Sequence, residues 1–147
     1  MYSNGKGETF RFDPFRGKSS DPPQIDPLCN WGLSQDGSVR AIVLTDPKGT
    51  IRFRSTTTGN SHDVQVRGGY VLGSVDWAAD GKSLYIAGRN PQGESVLLRV
   101  TLDGQRVTIL LRSSDSEMLA GIPSPDGRYL AIAEARGSNN AWAIENF

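Results

Sequence analysis

At 147 residues the chain is long enough for one domain with a real core, and 37% hydrophobic against 22% charged residues is the balance of a folded globular protein. Sixteen Lys and Arg offset sixteen Asp and Glu, so the chain lacks the basic footprint of a nucleic-acid binder or of a binder of anionic membranes. Cys29 is the lone cysteine, which rules out an intrachain disulfide and argues against a cysteine-based metal site.

The first eight residues are polar, with no apolar run of signal-peptide length. No stretch approaches the roughly 20 apolar residues of a membrane span. As written, the chain predicts a cytoplasmic location; a periplasmic or extracytoplasmic one stays open if it is part of a longer protein. The first predicted strand lies near residues 8–13, where Phe10-Arg-Phe alternates, and a turn at Arg16-Gly17 follows it. Between Asp21 and Pro27 the proline-rich run disfavours a further strand, because proline cannot donate to a ladder.

From residue 30 onward one context recurs: Leu33-Ser-Gln-Asp-Gly-Ser, Trp77-Ala-Ala-Asp-Gly-Lys and Pro123-Ser-Pro-Asp-Gly-Arg. Asp36, Asp80 and Asp126 stand 44 and 46 residues apart, and each is followed by an apolar, β-prone run: Val39 to Leu44, Leu84 to Ala87, Tyr129 to Ala133. Asp-Gly between two such runs predicts a hairpin with a type I′ turn. A second turn follows each hairpin, at Thr58-Gly59 and Asp103-Gly104, between further apolar runs. The unit is therefore four short strands, A to D, repeated about every 45 residues, which is the pattern of propeller blades. Sustained apolar spacing at three and four residues is absent, so almost no helix is expected. The predicted fold is all-β, a partial β-propeller of about three four-stranded antiparallel blades. Residues 1–29 form the end of a preceding blade (strands C–D), 30–71 and 72–117 two full blades, and 118–147 a final blade with strands A–C.

Trp77-Ala-Ala-Asp-Gly-Lys-Ser-Leu and Pro123-Ser-Pro-Asp-Gly-Arg-Tyr-Leu-Ala resemble the W-S-P-D-G-[KR]-x-[LI]-A core of TolB-type, WD-repeat-like propeller repeats. The ending Asn140-Ala-Trp-Ala-Ile-Glu-Asn-Phe is similar to the last strand of propellers at the C-termini of large bacterial proteins. Some of those carry an N-terminal Ser/Thr kinase or winged-helix DNA-binding domain, and neither module is present in this sequence. The resemblance covers most of residues 30–147 and implies a fold rather than an activity, because the shared residues are turn and core positions. Leu33 and Pro123 depart from it at the tryptophan position, and Ser38 at the basic one.

The recurring aspartates read as turn residues that bond to their own backbone, not as catalytic or metal-binding acids. His62, the only histidine, cannot by itself supply a triad or a zinc site; it is expected at a C–D turn, in solvent. The sequence has neither a G-x-S-x-G elbow nor a phosphate-binding loop. Phe10-Arg-Phe and Arg52-Phe-Arg fit half-buried strands better than a single-stranded nucleic-acid groove. Trp77 and Trp142 are expected between blades.

Up-and-down strand order sends the A–B and C–D turns to one side and the longer B–C and D–A loops to the other, where partners of propellers usually bind. Tyr70, Arg89, Asn90, Arg136 and Asn139 are the candidate contact residues there, since Tyr and Arg are favoured interface anchors. The expected role is non-catalytic: a protein- or peptide-binding or sensor module, with no cofactor, no metal and no catalytic residue. The alternative is an accessory propeller domain of a larger enzyme, a peptidase or Ser/Thr kinase. Three blades fall short of the four to eight that close a ring. A homodimer or missing blades are therefore expected to complete it.

Overall fold

The computed structural model describes residues 30–136, the strand backbone of 138–145 and four two-residue strands before them. Those four are β1 (Tyr2–Ser3), β2 (Thr9–Phe10), β3 (Phe12–Asp13) and β4 (Gly17–Lys18). β1 pairs antiparallel with β2, and β3 with β4, so Gly17 belongs to a strand rather than to the turn expected at Arg16-Gly17. The proline-rich run at 21–27 lies outside the described residues, as do the side chains of Asn139 and Trp142.

Three antiparallel sheets follow. The first holds β5 (Trp31–Leu33), β6 (Val39–Leu44), β7 (Thr50–Ser55) and β8 (Ser61–Gln65). The second holds β9 (Val71–Trp77), β10 (Ser83–Arg89), β11 (Ser95–Thr101) and β12 (Val107–Ser113). The third holds β13 (Met118–Pro123), β14 (Tyr129–Arg136) and β15 (Ser138–Glu145). Each strand pairs with its neighbours in sequence, and no helix occurs among the described residues.

The Asp-Gly turns are not type I′. In each A–B turn the glycine N–H bonds back three residues, Gly37 to Ser34, Gly81 to Ala78 and Gly127 to Ser124, and the next rung closes five residues out. The connection is thus four residues long, a three-residue-back turn ending on a left-handed glycine with φ of 74°, 65° or 70°. Aspartate is selected by its carboxylate: Asp36 Oδ1 accepts from the Ser38 N–H at 3.0 Å, Asp80 Oδ1 from Lys82 at 2.9 Å and Asp126 Oδ1 from Arg128 at 3.1 Å. Hydroxyls of Ser34 and Ser124 add a second donor to Asp36 and Asp126, holding Asp36 at about 2 and Asp126 below its ordinary value.

Alternation decides which residues pack between sheets. Ala41, Val43, Ile51 and Phe53 of the first sheet face Leu84, Ile86, Val96, Leu98 and Val100 of the second in one core cluster. Tyr85, Ala87 and Leu97, on the other face of the second sheet, meet Leu119, Leu130 and Ile132 of the third. Full burial of side chains such as Leu84, Ile86 and Leu98 is worth about 1.5–3 kcal/mol each. Trp77 packs on the first cluster, as expected, and its Nε1–H donates to the Gly32 carbonyl across the sheets at 3.1 Å.

Two placements differ from the sequence reading. His62 lies within β8, opposite Phe53, and its ring stacks on Phe53 at 5.4 Å; it is exposed, but not at a turn. The Asp103-Gly104 turn does not project freely beside the A–B turns. It rests against the end of β8, where the Gly104 carbonyl accepts the Arg67 N–H at 3.0 Å. A Cβ on Gly104 would come within 2.5 Å of the Gln65 carbonyl oxygen. Right-handed twist accumulates over four strands, at about 20–25° per pair, and swings the outermost strand's end toward the neighbouring sheet.

Candidate functional site

The loops opposite the A–B turns form a continuous strip. The first D–A loop, residues 66–70, lies beside the second B–C loop, where a Cβ on Gly69 would sit 3.6 Å from Pro91. The second B–C loop is tied in turn to the second D–A loop by Arg89. Its Nη1 donates to the Gly93 carbonyl at 2.8 Å and its Nη2 to the Glu117 carbonyl at 3.1 Å.

The structure brings Arg89, Asn90 and Arg136 to this strip but uses them differently. Asn90, only 7% exposed, is spent inside its loop: Oδ1 accepts from the Gln92 and Glu94 N–H groups, and Nδ2 donates to Glu94 Oε2 at 2.6 Å. Its side chain holds the loop's shape, with the amide oxygen and one amide N–H bonded inside the loop. Arg89 is exposed yet serves as a strap between neighbouring sheets. Tyr70 is half-buried against the first core cluster, its ring lying over Gly68, whose Cβ would sit 2.5 Å from Tyr70 Cε2. Arg136 is 54% exposed and pairs with Glu134 at 2.7 Å. The fifth candidate, Asn139, has its backbone in β15 and a side chain outside the described residues.

Sequence reasoning missed the cluster that Arg136 closes. The hydroxyls of Ser113 and Ser116, buried to 8% and 4% exposure, lie 2.7 Å apart. Ser116 also bonds to Glu134, and Ser95 Oγ donates to the Ser116 carbonyl at 2.7 Å. The Arg136 guanidinium, then the Ser116 hydroxyl, hold the Glu134 carboxyl down to about 2. A carboxylate that weakly basic is poorly matched to take a proton from serine near neutral pH, and His62 sits on another sheet. The cluster therefore reads as a buried polar clasp on the D–A loop, with every member bonded.

A second feature also escaped the sequence reading. A shallow cavity of about 130 Å³ opens between the first two sheets, lined by Asn30, Val43, Leu44, Lys48, Val71 and Leu72, among others. Val71, 46% exposed, forms part of its wall. Among the described residues no three His, Cys, Asp or Glu side chains converge as metal ligands would.

No protein-family model matches the sequence, and no curated protein does. Among solved structures, the chain superposes on a prolyl endopeptidase, from work on two such enzymes and their inter-domain dynamics, with a TM-score of 0.60 and 19% identity. That match covers 88% of this chain and 24% of the enzyme. Prolyl oligopeptidase B from Galerina marginata matches with a TM-score of 0.58 and 18% identity over 81% of this chain and 20% of that one. A putative TolB from Agrobacterium tumefaciens gives 0.59 and 16%, over 97% of this chain and 71% of the other. The chain thus spans about a quarter or less of the two peptidases. At such identities the likeness shows the fold alone: the chain is all-β, a partial β-propeller of antiparallel sheets.

Proposed function

We propose that the chain is a non-catalytic, accessory propeller module that holds a protein or peptide segment on its B–C/D–A side. One contrast between the two sides carries the reading. On the A–B side the turn carboxylates are bent back onto their own N–H groups, in four-residue connections with little adaptable surface. On the opposite side the connections are no longer, but Arg112 near the end of β12 and Arg136 at the end of β14, both 54% exposed, stand with the exposed acids Asp115 and Glu117 of the second D–A loop. A shallow cavity with Val71 at its wall opens there between the first two sheets. Mixed charge and a separate apolar recess on the same side suit an extended peptide, whose side chains can use both.

A second reading is the accessory domain of a larger peptidase. It is favoured by the superposition on two prolyl peptidases of which this chain spans a minor part. Selection of displayed random peptides on the purified chain separates the two. Enriched peptides are expected to lose binding roughly tenfold, the equivalent of about 1.4 kcal/mol, on a Val71→Asp, Arg112→Glu double variant. They should bind unchanged to Lys82→Glu, Arg128→Glu on the turn side. Equal binding to both double variants sinks the proposed face, and an absence of enrichment favours the second reading.

A further inference from the structure

β13 and β14 have one covered face and one open one. Leu130 and Ile132 point back at the second sheet, 2% and 4% exposed. Tyr129, Ala131 and Ala133 point the other way and are exposed, and Ile122, opposite Ala131 in register, is 59% exposed. A solvated sheet face displays polar residues at alternate positions, whereas here they are apolar at five in succession across the two strands, from Ala120 through Ile122 to Ala133.

The other sheets show what covers such a face. With the A–B turns as the guide, Tyr85 and Ala87 of β10 occupy the positions of Ala131 and Ala133, and Ala41 and Val43 occupy them in β6. Leu84 and Ile86 cover the β6 pair, and Leu130 and Ile132 cover the β10 pair. Each open face is thus met by a Leu–Ile pair, two residues apart on the second strand of the next sheet.

We propose that the face formed by Ile122, Tyr129, Ala131 and Ala133 is a docking surface for one further antiparallel sheet of this repeat, tethered to the chain rather than supplied by a second copy. The first sheet of another copy does not fit. On its outward side Arg40 stands at the position of Leu84, and Arg54, opposite Arg40, at that of Val100; guanidinium groups do not belong on an alanine floor. Size argues for a tether as well. Strands of six, eight and eight residues span roughly 350 Å² at ordinary strand spacing. That is under half of the ≈ 800 Å² per partner of a stable free association, and a linker raises the effective concentration to compensate.

The test extends the chain with a second copy of residues 102–147 joined after Glu145, which sets another Leu–Ile pair over the face. The extended chain is expected to melt about 5 °C or more above the original and to bind less hydrophobic dye. Ile122→Lys, silent for stability in the original chain, is expected to cancel the gain in the extended one. A gain indifferent to Ile122→Lys, or no gain, overturns the proposal. So does a dimer of the original chain, seen by light scattering, that Ile122→Lys dissociates, because the occupant is then a second copy. If the extended chain does not fold, dye binding by the original chain decides: equal binding by wild type and Ile122→Lys overturns the open face.

Discussion

Trp77→Ala should destabilise the chain by about 3 kcal/mol, a fall in Tm of roughly 6–12 °C at this size. Trp77 ends the innermost strand of the second sheet, and three interactions depend on it. Its ring packs on the cluster of Ala41, Phe53, Leu84 and Val100, and meets Phe53 edge-on with centroids 5.9 Å apart. Its indole N–H occupies the Gly32 carbonyl. The first and third sheets carry Leu33 and Pro123 at the matching positions, so no other ring takes its place. Because Trp77 is half-buried, the low end of the range for aromatic truncation applies. Trp77→Phe keeps most of the packing and should cost about 1 kcal/mol for the lost hydrogen bond. Guanidinium unfolding of both variants measures this; equal midpoints for Trp77→Ala and wild type would show that the first two sheets cohere without the ring.

Asp76→Asn should stabilise the chain near neutral pH and do nothing at low pH. Asp76 is half-buried in β9, opposite Tyr85, and among the described residues no cation pairs with it. Burial pushes its carboxyl up to about 6. Well below pH 4 the carboxyl is neutral in both folded and unfolded chains and costs little. Between pH 4 and 6 the unfolded chain ionises first, so stability drains away as pH rises, and above 6 the full penalty remains. Two pH units correspond to nearly 3 kcal/mol, but the group is partly solvated, and about 1–2 kcal/mol is the expected gain at pH 7.5. The lowered carboxyls of Asp36, Asp103 and Glu134 push the opposite way with pH. The difference between variant and wild type therefore isolates Asp76. A gain of the same size at pH 3.5 and pH 7.5 would assign the effect to something other than its ionisation.

The sheets were legible because their signal is local. An Asp-Gly pair and the alternating run behind it lie within about ten residues, and every strand pairs with a chain neighbour. The type of turn was not legible, since Asp-Gly satisfies a two-residue connection as readily as the four-residue one that the Asp36 and Asp126 carboxylates brace. His62 was read as a turn residue because Gly59-Asn60 precedes it; pairing with Phe53 decides its place instead. At the loops, residue type alone pointed to Asn90, and only the fold reveals that Gln92 and Glu94 occupy its amide oxygen and one of its N–H groups. Ser95, Ser113, Ser116 and Glu134 carry no periodic mark, because they come from two sheets and the loop between them.

Pairing only between chain neighbours also governs how the molecule assembles in time. Each rung closes a short connection before any distant contact is needed, so loop closure costs little and individual sheets form early. Contacts between sheets are the long-range step, and the second sheet is the one that packs against both of the others. It is therefore the natural nucleus from which order spreads outward, as in other stacked repeats. Amide exchange should be slowest in β10 and β11 and quicken toward both ends of the stack; uniform protection across the three sheets would mean that they fold as one unit instead.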